Sequence, residues 1–260
     1  MSDFLDILAE DSMRMIESGY YYIEADRTLE RRGYSLRENI LRCKKNPIIA
    51  EIKLASPSGN AIARNIDVTY VASAMKKGGA VGLSVLTEPN HFKGSLQNFK
   101  LVREKTQMPL LMKDFIINHL QIEAASRIGA DAILLIQALF DRNYCDNSLT
   151  KMIECAHAHN MEVLLESHSE DEFQKAANSN ADLIGINNRD LRTLTVDLHV
   201  TEKILKKNRD RSQITVSESG IESLTHLRFL RKAGANAFLV GSAIMSAQSI
   251  EKKVRELTEA

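Results

Sequence analysis

The sequence predicts an α/β fold, a (β/α)8 TIM barrel with an N-terminal helical extension, on three observations. Short apolar runs alternate with amphipathic stretches from residue 47 onward. The runs are apolar on both faces, as strands are when a parallel sheet is covered by crossover helices. A phrase of a turn residue and Ala ahead of a strand recurs in KKGGAVGLSVL, RIGADAILLI, NSNADLIGIN and KAGANAFLVG, at a spacing of roughly fifty residues. That spacing suits two βα units of about 25 residues each, so the phrase marks the second, fourth, sixth and eighth strands. Eight strands in about 200 residues make a closed barrel, since an open sheet rarely repeats so evenly. A doubly wound sheet is the alternative, but no GxGxxG follows the first strand.

The predicted strands are PIIAEIK (47–53), AVGLSVLT (80–87), PLLMKDF (109–115), DAILLI (131–136), EVLLES (162–167), DLIGIN (182–187), QITVSES (213–219) and NAFLVGS (236–242). Helical spacing lies between them: Val68, Val71, Ala72 and Met75 follow an i, i+3, i+4, i+7 pattern behind Asp67, a suitable N-cap. Residues 1–46 form the N-terminal helical extension and residues 47–260 the catalytic barrel. The extension carries Tyr20–Tyr21–Tyr22 and Arg27, Arg31, Arg32, Arg37 and Arg42. It is read as helices packed on the barrel, with a flap over its mouth as the functional alternative.

Composition narrows the function. Lys plus Arg number 34, matched by 34 Asp plus Glu, and aromatics make up 5% with no Trp. A balanced chain with few aromatics has neither the basic footprint nor the stacking surface of a nucleic-acid binder, and it lacks the charge that draws proteins to anionic membranes. No apolar run approaches the ~18 residues of a membrane span, and the acidic start MSDFLDILAEDS is a poor signal peptide. Cys43, Cys145 and Cys155 are scattered and odd in number, as free thiols in a reducing compartment are. A cytoplasmic protein is expected. The oligomeric state stays open, with a monomer the simpler assumption.

Charged residues stand where the barrel should be apolar. Side chains alternate along a strand, so Ile49, Glu51 and Lys53 share the inward face, as do Leu111, Lys113 and Phe115. The fifth strand turns Leu164 and Glu166 inward, the sixth Gly185 and Asn187, the seventh Val216 and Glu218. Burying an ionised group costs several kcal/mol unless it is paired and hydrogen-bonded. One such residue could be a structural ion pair, but two lysines, three glutamates and an asparagine at the ends of five strands point to catalysis at the C-terminal rim. Ser219–Gly220 and Gly241–Ser242 follow the seventh and eighth strands, where barrels recurrently bind phosphate through close backbone approach.

Competing motifs are weak. His157 and His159 diverge on a helix, and the acidic neighbours of His168, Glu170 and Glu172, are explained by a polar helix start. There is no HExxH, Walker loop or GxSxG. No metal and no cofactor is expected.

The segments that carry these residues resemble the signatures of indole-3-glycerol-phosphate synthases: IAEIKLASPSG (49–59), LTEPNHFKGS (86–95), LLMKDF (110–115), GINNRDL (185–191), SESGI (217–221) and FLVGSAIM (238–245). The KxxSPS and LMKDF segments are highly specific, whereas SESGI and FLVGS also resemble other phosphate-binding barrels. The resemblance implies a small phosphorylated substrate, 1-(2-carboxyphenylamino)-1-deoxyribulose 5-phosphate, and its ring closure, decarboxylation and dehydration in tryptophan biosynthesis. Carried over by position, Lys113 is the general acid toward the ketone and Glu166 the base for later proton removal. Lys53 grips substrate oxygens, Glu51 orients it, and Asn187 hydrogen-bonds the substrate. Ser56 and Arg189 lie in the matching substrate segments, Glu218 and Ser219 complete the polar wall, Phe92 and Leu134 meet the aromatic ring, and Gly220, Gly241 and Ser242 bind phosphate. Which lysine donates at which step stays open, with Lys113 ranked first for closure. The loop SPSGNAIAR (56–64) is expected to close over ligand.

Leu54–Ala55 and Ser167 depart from the family's usual residues without touching a carried position. Phosphoribosylanthranilate isomerase is the nearest enzyme rival, but its expected Cys–Asp pair has no counterpart where the first strand ends in Glu51–Lys53. A barrel that only senses a phosphorylated metabolite would need no interior lysines.

Overall fold

A computed structural model of the chain describes residues 3–24, 33–55, 66–209 and 212–259. Its strands are β1 (Ile48–Ile52), β2 (Gly82–Leu86), β3 (Leu110–Lys113), β4 (Ala132–Ile136), β5 (Glu162–Ser167), β6 (Leu183–Asn187), β7 (Ile214–Glu218) and β8 (Ala237–Val240). Two helices precede them, α1 (Phe4–Glu17) and α2 (Leu36–Arg42). The others are α3 (Val68–Lys77), α4 (Leu96–Lys105), α5 (His119–Arg127), α6 (Gln137–Asp141), α7 (Leu149–Ala158), α8 (Glu170–Ala177), α9 (His199–Lys207), α10 (Leu224–Ala233), α11 (Ser242–Met245) and α12 (Ile250–Thr258). The strands pair in sequence order, all parallel, and β8 closes on β1 through Ile49 opposite Leu239. The predicted barrel is therefore observed.

Local chemistry starts most helices. Asp67 caps α3 as expected, accepting from the N–H groups of Thr69 and Tyr70. Ser35, Ser95, Ser148, Ser169, Ser223 and Ser249 cap α2, α4, α7, α8, α10 and α12 in the same way. Three of the four repeated phrases turn from helix to strand through a glycine in the left-handed region, Gly79, Gly129 and Gly234, with φ of 96°, 81° and 109°.

Strand alternation sorts the side chains into two layers. Ile48, Ala50, Ile52, Met112, Leu135 and Leu165 face outward onto the helices. Ile49, Leu111, Leu134, Leu164, Leu183, Val216 and Leu239 fill the barrel interior.

The extension reaches both ends of that interior. Ser35 and the N–H groups of Leu36 and Arg37 bond Glu162, the first residue of β5. Asn39 donates to the Val81 carbonyl at 2.9 Å, and Leu36, fully buried, sits where a Cβ on Gly82 would project. Thus α2 plugs the N-terminal end of the barrel. By contrast α1 lies on the C-terminal rim. Ser12 donates to the Phe115 carbonyl at 2.7 Å, Asp11 meets His91 at 2.7 Å, and Arg142 bridges Asp3 and Asp6 at 2.8 and 2.6 Å. Tyr20 donates to the Thr87 carbonyl and Tyr21 to Asp114. The first helix is therefore packed on the loops of the C-terminal rim, though none of its residues lines the cavity at the barrel mouth. No helix among the described residues is long and apolar enough to cross a membrane. The expected lid at 56–64 lies outside the described residues.

Candidate active site

At the C-terminal rim the barrel opens into a cavity of about 490 Å3. Every candidate residue named from the sequence lines it except Ser56, which lies outside the described residues. The interior turns from apolar to ionisable within one step of alternation: Leu111 to Lys113, Leu164 to Glu166, Val216 to Glu218. Strand register then brings the charged tier together. Leu86 stands beside Lys113, Ile136 beside Glu166, and Asn187 beside Glu218.

Two lysines organise the floor through three contacts with carboxyl groups. Lys53 Nζ lies 3.0 Å from Glu51, and Lys113 Nζ lies 3.1 Å from Glu166 Oε2 and 3.4 Å from Glu218 Oε2. Asn187 donates to Glu166 Oε1 at 3.0 Å, and its own carbonyl accepts from the Arg189 N–H at 3.0 Å. Arg189 is steadied by the Leu194 carbonyl at 2.8 Å. Glu166 and Glu218 expose only 2% or less of their side chains, so these pairs work in a dry setting where charge interactions are strong.

Burial opposes the Lys113 charge, but Glu166, Glu218 and Glu51 outweigh it and hold its ammonium well above the ordinary lysine range. Burial likewise opposes ionisation of Glu166, and Lys113, His168 and Asn187 more than offset it, keeping that carboxyl below its usual value. Glu218 has the reverse fate. Burial first, then the repulsion of Glu166 and Glu51, push its carboxyl up to about 8 against the pull of Lys113. Neither Glu218 oxygen has a hydrogen-bond partner among the described residues. At neutral pH one lysine, one carboxylate and one carboxylic acid therefore share a corner of the site.

The raised Glu218 carboxyl has a consequence for stability. Its proton stays bound in the folded chain up to about pH 8 but leaves the unfolded chain near pH 4.5. The stabilisation is complete below the unfolded value and is lost as pH rises through the folded one, at up to about 1.4 kcal/mol per pH unit for a single group. Thermal stability of the wild type should fall from pH 5 to 8, and Glu218→Gln should flatten that slope. An unchanged slope in the variant would locate the effect elsewhere.

Glycines make the room for these groups. A Cβ on Gly185 would run into the Glu218 carboxylate and come within 3.3 Å of Glu166 Cα. A Cβ on Gly241 would meet Glu51 Oε1 at 2.5 Å and Lys53 Cε at 3.0 Å. Gly241 thus gives the Glu51–Lys53 pair its seat. Ser219 and Gly220 run consecutively in the left-handed region, φ 65° and 76°, and line the same edge as Gly241 and Ser242.

Four ionisable groups in or beside the cavity, Asp114, His168, Glu222 and His226, are not assigned a role by the sequence, and two of them touch the groups already described. Asp114 follows Lys113 at the end of β3 and borders the cavity, while its carboxylate turns to the outer face, as alternation requires, toward Thr87 and Tyr21. It accepts from Thr87 Oγ1 at 2.5 Å, the Phe115 N–H at 2.8 Å and Tyr21 at 3.1 Å. Burial pushes its carboxyl up to about 6. The sequence explains the acidic neighbours of His168 by a polar helix start. Glu172 does accept from the His168 backbone N–H at 2.8 Å, but the imidazole turns inward, with Nε2 at 3.7 Å from Glu166 Oε1. The run Glu166–Ser167–His168 held the signal: residues two apart on a strand share a face.

Comparison with known proteins places this geometry. The family model of indole-3-glycerol phosphate synthase matches residues 11–257. An indole-3-glycerol phosphate synthase of Methanocaldococcus jannaschii is 43% identical over 235 residues, 87% of this chain and 84% of the relative. One from Bacillus cereus is 38% identical over 250 residues, 96% of each chain. Among solved structures, a thiamine phosphate pyrophosphorylase from Pyrococcus furiosus superposes with a TM-score of 0.61 over 86% of this chain and 96% of the other. At 19% identity it speaks for the barrel alone. With a family match over almost its whole length and relatives near 40% identity, the chain belongs to the indole-3-glycerol phosphate synthase family.

Proposed function

We propose that the chain converts 1-(2-carboxyphenylamino)-1-deoxyribulose 5-phosphate to indole-3-glycerol phosphate, carbon dioxide and water, as a cytoplasmic enzyme of tryptophan biosynthesis. The observation that carries the reading is the convergence of Lys53, Lys113 and Glu166 in one mouth beside the Ser219–Gly220 and Gly241–Ser242 edge.

Each step makes a demand that a named group can meet. In closure, the ring carbon bearing the carboxylate attacks the ketone, and charge builds on the ketone oxygen. Lys113 supplies a proton there, and Lys53 supports the developing charge with Glu51 holding it in line. Carbon dioxide then leaves with its bond electrons returned to the ring, which restores aromaticity. In dehydration the former ketone oxygen departs as water with a second proton, while Glu166 takes a proton from the methylene carbon attached to nitrogen. The step needs an acid and a base on one small centre, which the Lys113–Glu166 pair provides at 3.1 Å. A protonated Glu218 adds a hydrogen-bond donor to that wall. Asn187 and Arg189 face the polar substrate groups, and Phe92 and Leu134 flank its ring. Gly220, Gly241 and Ser242 offer the edge for its phosphate, and Ser56 stays with the substrate set. No step needs an external oxidant or reductant.

Adding the substrate to the purified wild-type chain should produce indole fluorescence with saturation kinetics. No fluorescence under conditions where the chain is folded would overturn the reading.

A further inference from the structure

Glu166 is 1% exposed, yet the proposed reaction draws on solvent for protons. Closure adds one proton to the ketone oxygen, and loss of that oxygen as water adds another. Aromatisation returns one proton to Glu166, and carbon dioxide carries none away. Glu166 can hand its proton back to Lys113 across 3.1 Å, but the account is still one proton short per turnover. On the proposed reading, substrate bound in the cavity at the barrel mouth would cover Lys113, whose side chain is otherwise 15% exposed there.

The other side of Glu166 is differently built. Its Oε2 faces Lys113, whereas Oε1 faces Asn187 at 3.0 Å and His168 Nε2 at 3.7 Å. That Nε2 is buried and has no hydrogen-bond partner among the described residues. The opposite ring nitrogen, Nδ1, lies 3.6 Å from Glu172 Oε2. Behind the imidazole is a second cavity of about 570 Å3, lined by His168 and Glu172 together with Asn187, Asn188, Asp190 and Arg192. The His168 and Glu172 side chains are 14% and 18% exposed, so they reach solvent where Glu166 does not.

We propose that His168 delivers solvent protons to Glu166 from this second cavity, with Glu172 holding the imidazole in line; the proposal rests on the reading of Glu166 as the base. The imidazolium gives its Nε2 proton to Glu166 Oε1, which passes one on to Lys113. That leaves a neutral ring with hydrogen on Nδ1, and the ring, turning toward the second cavity, takes up a proton from water there. The transfer requires the ring to move by less than about 1 Å, from 3.7 Å to hydrogen-bond distance. The surroundings favour the charged ring. Burial works against it, but Glu172 on α8, Glu166 on β5 and Glu218 on β7 raise its affinity for the proton, and Asp190 in the loop after β6 feels the same charge. His168 acts through Glu166 and is a positioning and relay residue, not one that touches substrate.

The test compares wild type with His168→Gln in the indole-fluorescence assay. We expect kcat to fall about 10- to 100-fold with KM within about twofold, and millimolar imidazole to restore several-fold of the lost rate. The solvent deuterium isotope effect on kcat should rise, since proton entry becomes limiting. A kcat within twofold of wild type would overturn the relay, as would a loss that imidazole does not restore. If His168→Gln does not fold, Glu172→Gln decides instead: a several-fold lower kcat with the same isotope signature supports the relay, and unchanged kinetics overturns it. An inactive wild type would overturn the proposed function and the relay with it, whereas an active wild type beside an unimpaired variant overturns the relay alone.

Discussion

Lys113→Ala should lower kcat at least about a thousandfold while the variant still binds the product, indole-3-glycerol phosphate, within about threefold of wild type. A proton donor aimed at a reacting oxygen contributes roughly 10²–10⁴ in rate, and a fixed charge at a developing oxyanion adds a comparable factor. Both belong to the transition state, so the loss falls on kcat and not on binding. The ammonium is also the cation that Glu166 and Glu218 share at 3.1 and 3.4 Å. Removing one partner of a buried pair ordinarily costs about 3–5 kcal/mol. The low end is expected here, because Glu218 already holds its proton and Glu166 keeps Asn187 and His168 as partners. A kcat within tenfold of wild type would remove Lys113 from the acid role.

Much of this arrangement is legible in the sequence because strand geometry has a period of two. Once IIAEIK, LLMK, LLES and TVSE are read as strands, alternation alone sends Glu51, Lys113, Glu166 and Glu218 to the same face as Ile49, Leu111, Leu164 and Val216. The eight predicted strands each overlap an observed one within a few residues. What alternation cannot supply is anything set across the fold. The pairing of Ser12 with Phe115 spans 103 residues, and no local pattern announces that α1 belongs to the rim and α2 to the floor of the barrel. Gly185 illustrates a second gap. It reads as an inward position without a side chain, and only the register of β6 with β7 reveals that the vacant volume is filled by Glu218. His168 illustrates a third, since a loop position just past a strand can continue the alternation or abandon it. Both Asp114, turned outward to Thr87 and Tyr21, and His168, turned inward to Glu166, keep it.

Glu166→Gln should lower kcat by about 10²–10⁴ and leave the fold nearly as stable as wild type, for a reason that lies in Glu218. The amide can still accept from Asn187, but its N–H groups now face the Lys113 ammonium, donor against donor. Lys113 has a second carboxyl at 3.4 Å. With the Glu166 charge gone, the repulsion that keeps Glu218 protonated is reduced, so Glu218 ionises more readily and takes over the pair. The buried cation is then never left alone, and the large cost of an orphaned charge does not arise. The same transfer makes a second measurable claim. A Glu218 carboxyl brought down from about 8 contributes less to the fall in stability between pH 5 and 8, so Glu166→Gln should flatten the unfolding slope even though position 218 is untouched. Lost turnover with an unaltered slope would separate the two carboxyls and break the shared-cation account. Retained turnover would remove Glu166 from the base role altogether.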